Sequence, residues 1–259
     1  MNAFRFIPSP RVPYADVTRR LKKIRWGTLS RLGIVSGFPI LLWSHTPPRP
    51  RGNVVISAGI HGDEPAGVEC VLQLLEKRPR WLDHFHLSIF PCLNPWGYEH
   101  NSRVNESGLD LNRQWRGACV SEVALARRAL GDRQFDFTIC LHEDYDATGF
   151  YIYELAATGV SRVGPAIVKT VSKFLPIERR AIIEGRRASD GVVTRPMESL
   201  RRRRHWPEAI LHFMRHTHHS MTSETPTHFP IEKRARAHAE TIRVAAARFL
   251  TSSRPGSKC

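Results

Sequence analysis

Short apolar runs bounded by turn-forming residues recur along the chain and alternate with stretches of helical spacing. The apolar runs predict strands over residues 38–43, 54–58, 86–91, 135–141, 150–155, 181–183 and 209–214, with a further short one over 218–222. Helical spacing predicts a short basic amphipathic helix over 14–24 and helices over 65–77, 120–130, 161–174 and 231–250. Pro65 suits a first helical turn, where its missing N–H leaves no bond unmade. Strands separated by helices argue for an α/β protein with a mostly parallel sheet covered on both faces.

No internal repeat or low-complexity segment interrupts this alternation, so residues 1–259 are expected to form a single catalytic domain. Residues 1–30 read as a lead-in, marked by Pro8, Pro10 and Pro13, followed by the first helix. Residues 251–259 are expected to be a disordered tail. The arginine-rich stretch 179–204 is irregular and contains glycine, which suits an excursion over the surface.

Composition narrows the class. With 259 residues and 41% hydrophobic content the chain can bury one large core, and it is too apolar to be disordered. No apolar run approaches the roughly 20 residues that span a bilayer, and residues 1–14 lack the apolar core of a secretory signal. Five cysteines with irregular spacing and no C-x-x-C pair fit a reducing compartment, so a cytoplasmic location is expected; Cys70, Cys92 and Cys140 lie in apolar stretches, as buried thiols do. The net charge of +15 calls for anionic partners. Nucleic acid is disfavoured, because no aromatic-interleaved or recognition-helix pattern surrounds the arginines. A solvated basic surface, or one that draws an acidic substrate to the site, accounts for them.

Candidate chemistry begins where the 54–58 strand runs into His61-Gly62-Asp63-Glu64. A three-residue step at a strand end lets an imidazole and a carboxylate converge on one ion, and zinc accepts both. Alone, H-x-x-E is a common and weak pattern. A second histidine, His142, closes the 135–141 strand, and open α/β sheets place their sites at such carboxyl ends. Glu143 and Asp144 are alternative ligands or could orient a histidine ring.

Between the two histidines come Asn94-Pro95-Trp96-Gly97-Tyr98, Arg103-Val104-Asn105 and Asp110-Leu111-Asn112-Arg113. In this order, behind His61-x-x-Glu64 and ahead of His142, these strings resemble the zinc carboxypeptidases of the carboxypeptidase A type. Relatives sharing the plan include the succinylglutamate desuccinylase/aspartoacylase branch and the bacterial peptidoglycan-peptide carboxypeptidases. The resemblance runs from about residue 53 to 145 and again near 224. It implies a three-layer α/β/α fold with a central mixed, mostly parallel sheet, and one zinc ion held by His61, Glu64 and His142. It also implies that Arg103 polarises the scissile carbonyl and that Asn112 and Arg113 grip a substrate carboxylate. An arginine fork suits the last role, being bidentate and charged at every physiological pH.

The resemblance further implies a late glutamate as general base, matched by Glu224 in Thr222-Ser223-Glu224-Thr225-Pro226; Glu208 and Glu198 are weaker rivals. The mobile tyrosine of the digestive enzymes has no counterpart, since no tyrosine follows Tyr153. The expected activity is hydrolysis of an amide bond next to a free carboxylate in a short peptide. The alternative is an N-acyl amino acid deacylase, and a non-catalytic binding protein is a more distant one. The expected partner is a small carboxylate-bearing substrate, without a membrane; nothing in the sequence sets the oligomeric state.

Overall fold

In a computed structural model, which describes residues 12–117, 120–195 and 197–252, one ten-stranded sheet carries helices on both faces. The N-terminal half comprises α1 (Tyr14–Lys23), β1 (Thr28–Val35), β2 (Phe38–His45), β3 (Gly52–Ser57), α2 (Pro65–Lys77), β4 (Phe85–Phe90), α3 (Pro95–His100) and α4 (Ser121–Leu130). Then follow β5 (Phe137–Asp144), β6 (Tyr151–Ala156), α5 (Gly164–Val171), β7 (Ile182–Ile183), β8 (Arg186–Ser189), β9 (Val192–Thr194), α6 (Met197–Arg201), α7 (Glu208–Arg215), β10 (His219–Pro226) and α8 (Ile231–Ser252).

The strand order is β1-β2-β4-β3-β5-β10-β6-β9-β8-β7. Strands β4, β3, β5 and β10 run parallel at the centre. Antiparallel pairings dominate both edges, so the sheet is mixed, with its parallel character concentrated in the middle. Side chains alternate between faces along each strand. Val54, Ile56, Ile139, Leu141 and Met221 join a core with α1, α2, α5 and α8. Val55 faces the other way, into a second core with Trp115, α4 and Leu211 of α7. These are the three layers expected.

Three expectations need correction. Residues 209–214 form helix α7 rather than a strand, entered through Pro207 and with Glu208 in its first turn. Ile210, Leu211, Phe213 and Met214 are spaced as one helical stripe, and so short an apolar run carries no period of its own. Strand β1 was not expected; it is a half-exposed edge that pairs with β2 around Ser36 and Gly37, both at positive φ. The 179–204 stretch is not a bare surface excursion. Turns at Glu184-Gly185 and Asp190-Gly191, all at positive φ, fold it into β7, β8 and β9, and β9 joins the sheet beside β6. Helix α8 extends through Thr251 and Ser252; the rest of the expected tail, the lead-in before residue 12, Cys119 and the Glu198 side chain lie outside the described residues.

Candidate active site

The site sits at the carboxyl ends of the central parallel strands. His61 follows β3, His142 lies near the end of β5 and Glu224 near the end of β10, in register with His142. Gly62 makes the first turn possible. A Cβ there would lie 1.9 Å from the Gly97 carbonyl carbon and 2.1 Å from the Tyr98 nitrogen, so the two backbones meet where no side chain fits. The Asn94-Pro95-Trp96-Gly97-Tyr98 string is the other half of that contact. Asn94 donates its N–H to the Gly59 carbonyl (2.8 Å) and caps α3 by accepting from the Gly97 N–H (2.9 Å).

His61, Glu64 and His142 are all buried, and one donor atom from each lies within 4.8 Å of the others. Glu64 is the hinge of the group. Its Oε1 lies 2.6 Å from His61 Nδ1, and its Oε2 lies 2.9 Å from His142 Nδ1 and accepts the Glu143 N–H at 3.0 Å. Both Nδ1 atoms therefore face the carboxylate, and both Nε2 atoms face outward. His61 Nε2 lies 3.2 Å from Asp110 Oδ1, and His142 Nε2 lies 3.5 Å from Asn112 Nδ2. Two imidazoles and one carboxylate, with rings fixed from behind, make a donor set that suits zinc.

The other expected residues converge on the same place. Arg103, Asn112, Arg113 and Glu224 line one cavity of about 460 Å³ with the three candidate ligands. Arg103 donates to Glu64 Oε1 and to Asp110 Oδ2, each at 3.3 Å. Asn112 Oδ1 accepts the Glu208 N–H (2.9 Å), which ties the Asp110–Arg113 turn to the start of α7. Ser223 and Thr225, flanking Glu224, point to the opposite face. There their hydroxyls lie 2.9 and 3.3 Å from the two ring nitrogens of buried His238 on α8. The strand is thus held from behind while Glu224 faces the cavity.

Comparisons with known proteins show what the chain is similar to. The family model of the succinylglutamate desuccinylase/aspartoacylase catalytic domain matches residues 50–158. Murein peptide amidase A of Escherichia coli (strain K12) is 35% identical over 78 residues, covering 30% of this chain and 31% of that protein. Carboxypeptidase SOL1 of Arabidopsis thaliana is 34% identical over 117 residues, covering 39% of this chain and 23% of that protein. Among solved structures, a candidate metallopeptidase from Shewanella denitrificans superposes with TM-score 0.75 at 22% identity, over 91% of this chain and 88% of that one. A metallo-carboxypeptidase from Burkholderia cenocepacia gives 0.69 at 19% identity, over 92% and 69%. In sequence the chain is similar to these proteins over part of its length, and its fold is like that of the two solved structures. It spans less than a third of the length of the curated relatives it matches.

Within the site the charges act strongly on one another. Burial pulls the His61 imidazole down, but Glu64 and Asp110 outweigh it and lift the group to about 9. Burial likewise opposes ionisation of Glu64, yet His61 and His142 hold it well below the usual carboxylate range. Glu224 behaves oppositely. Burial pushes its carboxyl far up, and Glu64, Glu184 and Asp144 add to this against His142. The cavity thus holds one firmly ionised carboxylate and one that favours its proton, the division of labour expected of a ligand and an acid–base group.

Some assignments fall differently from expectation. Glu143 is neither a ligand nor the ring-orienting group: its oxygens take the Ala66 N–H (2.7 Å) and the Arg234 guanidinium, and Asp144 accepts from the Tyr151 hydroxyl at 2.8 Å. The group beside the outer nitrogen of His61 is Asp110, for which no role is expected from the sequence. Tyr145, Tyr151 and Tyr153 line the cavity, with their hydroxyls bonded to Asp63 O, Asp144 and Glu184. Arg186, Arg195 and Arg203 line it too. The Glu184-Gly185 and Asp190-Gly191 pairs that turn their segment are the signal in the sequence that could have found them.

Proposed function

We propose that the chain is a zinc-dependent hydrolase, organised as one catalytic domain, that cleaves an amide bond next to a free carboxylate in a short peptide. The observation that carries this reading is the convergence of His61, Glu64, His142, Arg103, Asn112, Arg113 and Glu224 on one cavity. His61 and His142 through Nδ1, with Glu64, would hold the ion. Zinc bound there supplies a Lewis acid that lowers the pKa of water and polarises a carbonyl.

The chain's own residues do the rest. Glu224 takes a proton from the attacking water and returns it to the departing amine, a role suited to a buried carboxyl with raised proton affinity. Arg103, at the cavity edge with 43% of its side chain exposed, turns from Glu64 and Asp110 to the carbonyl oxygen as negative charge develops. Asn112 and Arg113 hold the substrate carboxylate, fixing the scissile bond relative to Glu224. The three tyrosine hydroxyls are already bonded, which leaves carbonyl stabilisation to Arg103 and the metal.

The family match to residues 50–158 favours a second reading, an N-acyl amino acid deacylase with the same groups gripping a carboxylate on the acyl or amino-acid side. A panel of short peptides and N-acyl amino acids separates the two. Hydrolysis of peptides supports the first reading, and hydrolysis of N-acyl amino acids alone replaces it with the second. Among the described residues Cys70, Cys92 and Cys140 are all buried, in keeping with a reducing, cytoplasmic setting, and no helix is long and apolar enough to cross a membrane.

A further inference from the structure

The arginine-rich stretch divides into two sets. Arg187, Arg201, Arg202 and Arg204 are exposed on the surface, whereas Arg186, Arg195 and Arg203 are partly buried and line the catalytic cavity beside Arg113. Neither a hydrogen bond nor an ion pair engages the guanidinium of Arg186, Arg195 or Arg203 among the described residues. Arg195 lies over the ring of Tyr153, its guanidinium carbon 4.7 Å from the centroid, and its Nε is buried without a partner.

The four cations feel one another. Arg203 is held below the ordinary guanidinium range first by burial and then by Arg195, Arg186 and Arg113. Glu184 is the carboxylate that opposes them, and its Oε2 already accepts the Tyr153 hydroxyl at 2.6 Å. Like charges gathered in a partly desolvated cleft raise the free energy of the empty site, and a bound anion reverses that cost. Arginine forks in particular match carboxylate and phosphate oxygens. The Leu155 and Ile210 walls and the volume of about 460 Å³ suit a short ligand rather than a polymer duplex.

We propose that Arg186, Arg195 and Arg203 form a second anion subsite, separate from the Asn112–Arg113 grip, that binds a further oxyanion on the substrate. The preferred substrates then carry at least two negative groups, one at the scissile end and one reached by β8 and the segments after β9 and α6. This rests on the reading of Asn112 and Arg113 as a carboxylate grip.

Calorimetric titration of the full chain with butyrate, glutarate and 3-phosphonopropionate tests it directly. One charge-assisted contact corresponds to roughly tenfold or more in affinity, so at least one dianion is expected to bind about tenfold tighter than butyrate. Stronger binding of glutarate assigns the second group as a carboxylate, and of the phosphonate as a phosphate. In Arg195→Gln/Arg203→Gln the preference is expected to shrink to about threefold or less, with butyrate binding unchanged. Arg186→Gln, a milder change, should reduce it part-way should the double variant fail to fold. Equal affinities in the wild type, or a preference that survives in folded variants, would overturn the subsite. Binding is read without turnover, so failure of the hydrolase reading and failure of the subsite are separate results.

Discussion

Glu224 on β10 lies in register with His142 on β5, so a carboxyl of raised proton affinity and a candidate metal ligand arrive side by side from adjacent parallel strands. If Glu224 moves the proton while His142 holds the ion, their losses should separate. Glu224→Gln is expected to lower kcat by about 10²–10⁴ with zinc content unchanged, as read by metal analysis and steady-state rates on one preparation. Loss of zinc in this variant would make Glu224 a ligand rather than a base.

Asp110 lies 3.2 Å from His61 Nε2 and bonds Arg103 as well, so it would act on a metal held by His61 through the ring it orients. Carboxylates behind metal-bound histidines commonly contribute about 10–100-fold to metal affinity. Asp110→Ala should weaken zinc binding by that order in a chelator competition, and a variant holding zinc as tightly as the wild type would remove Asp110 from this role.

Zinc uptake should depend on pH with a definite sign. In the metal-free protein His61 titrates at about 9, so near neutral pH it carries a proton that must leave before Nδ1 can coordinate. Affinity is therefore expected to rise by about tenfold per pH unit between about pH 6 and pH 8, with one proton released per ion. Calorimetry in buffers of different ionisation enthalpy measures that proton, and binding without proton release would contradict the electrostatic picture.

Beneath the site, Glu143 accepts from the buried guanidinium of Arg234 and from the Ala66 N–H, which ties α8 and the start of α2 to the strand that carries His142. Burial pushes Glu143 up to about 7 even against the Arg234 charge, so removing the cation alone should be severe. Arg234→Met is expected to cost about 3–5 kcal/mol of stability, whereas Glu143→Gln/Arg234→Met should recover a large part of it. Chemical denaturation of the two variants makes the comparison, and equal loss in both would mean that the pair is not the source of the cost.

The candidate ligands and the candidate base were legible in the sequence because His61, His142 and Glu224 lie at or near strand ends marked by apolar runs, and Asn112 and Arg113 because they close an ordered string in a tight turn. Helix α2 was legible to the residue, since Pro65 opens it and its buried residues repeat at helical spacing. The rest was hidden for physical reasons. Residues 209–214 are too few to reveal their period. Strand β1 is half-exposed, and its ladder shifts register between Arg31 and Gly33, so its alternation is faint. Asp110 opens the Asp110–Arg113 string, but its task depends on which histidine nitrogen faces it. The cavity arginines were hidden by their own number, because charge alone does not distinguish a residue that lines a cleft from one that faces water.

The most direct test of the whole account is to strip the protein with a chelator and titrate zinc back while following amide hydrolysis. Activity is expected to vanish on stripping and return in proportion to zinc up to one ion per chain, and His142→Ala should neither bind that ion tightly nor recover. Hydrolysis that persists in the stripped protein, or that returns equally in His142→Ala, would contradict the claim that His61, Glu64 and His142 build the catalytic centre.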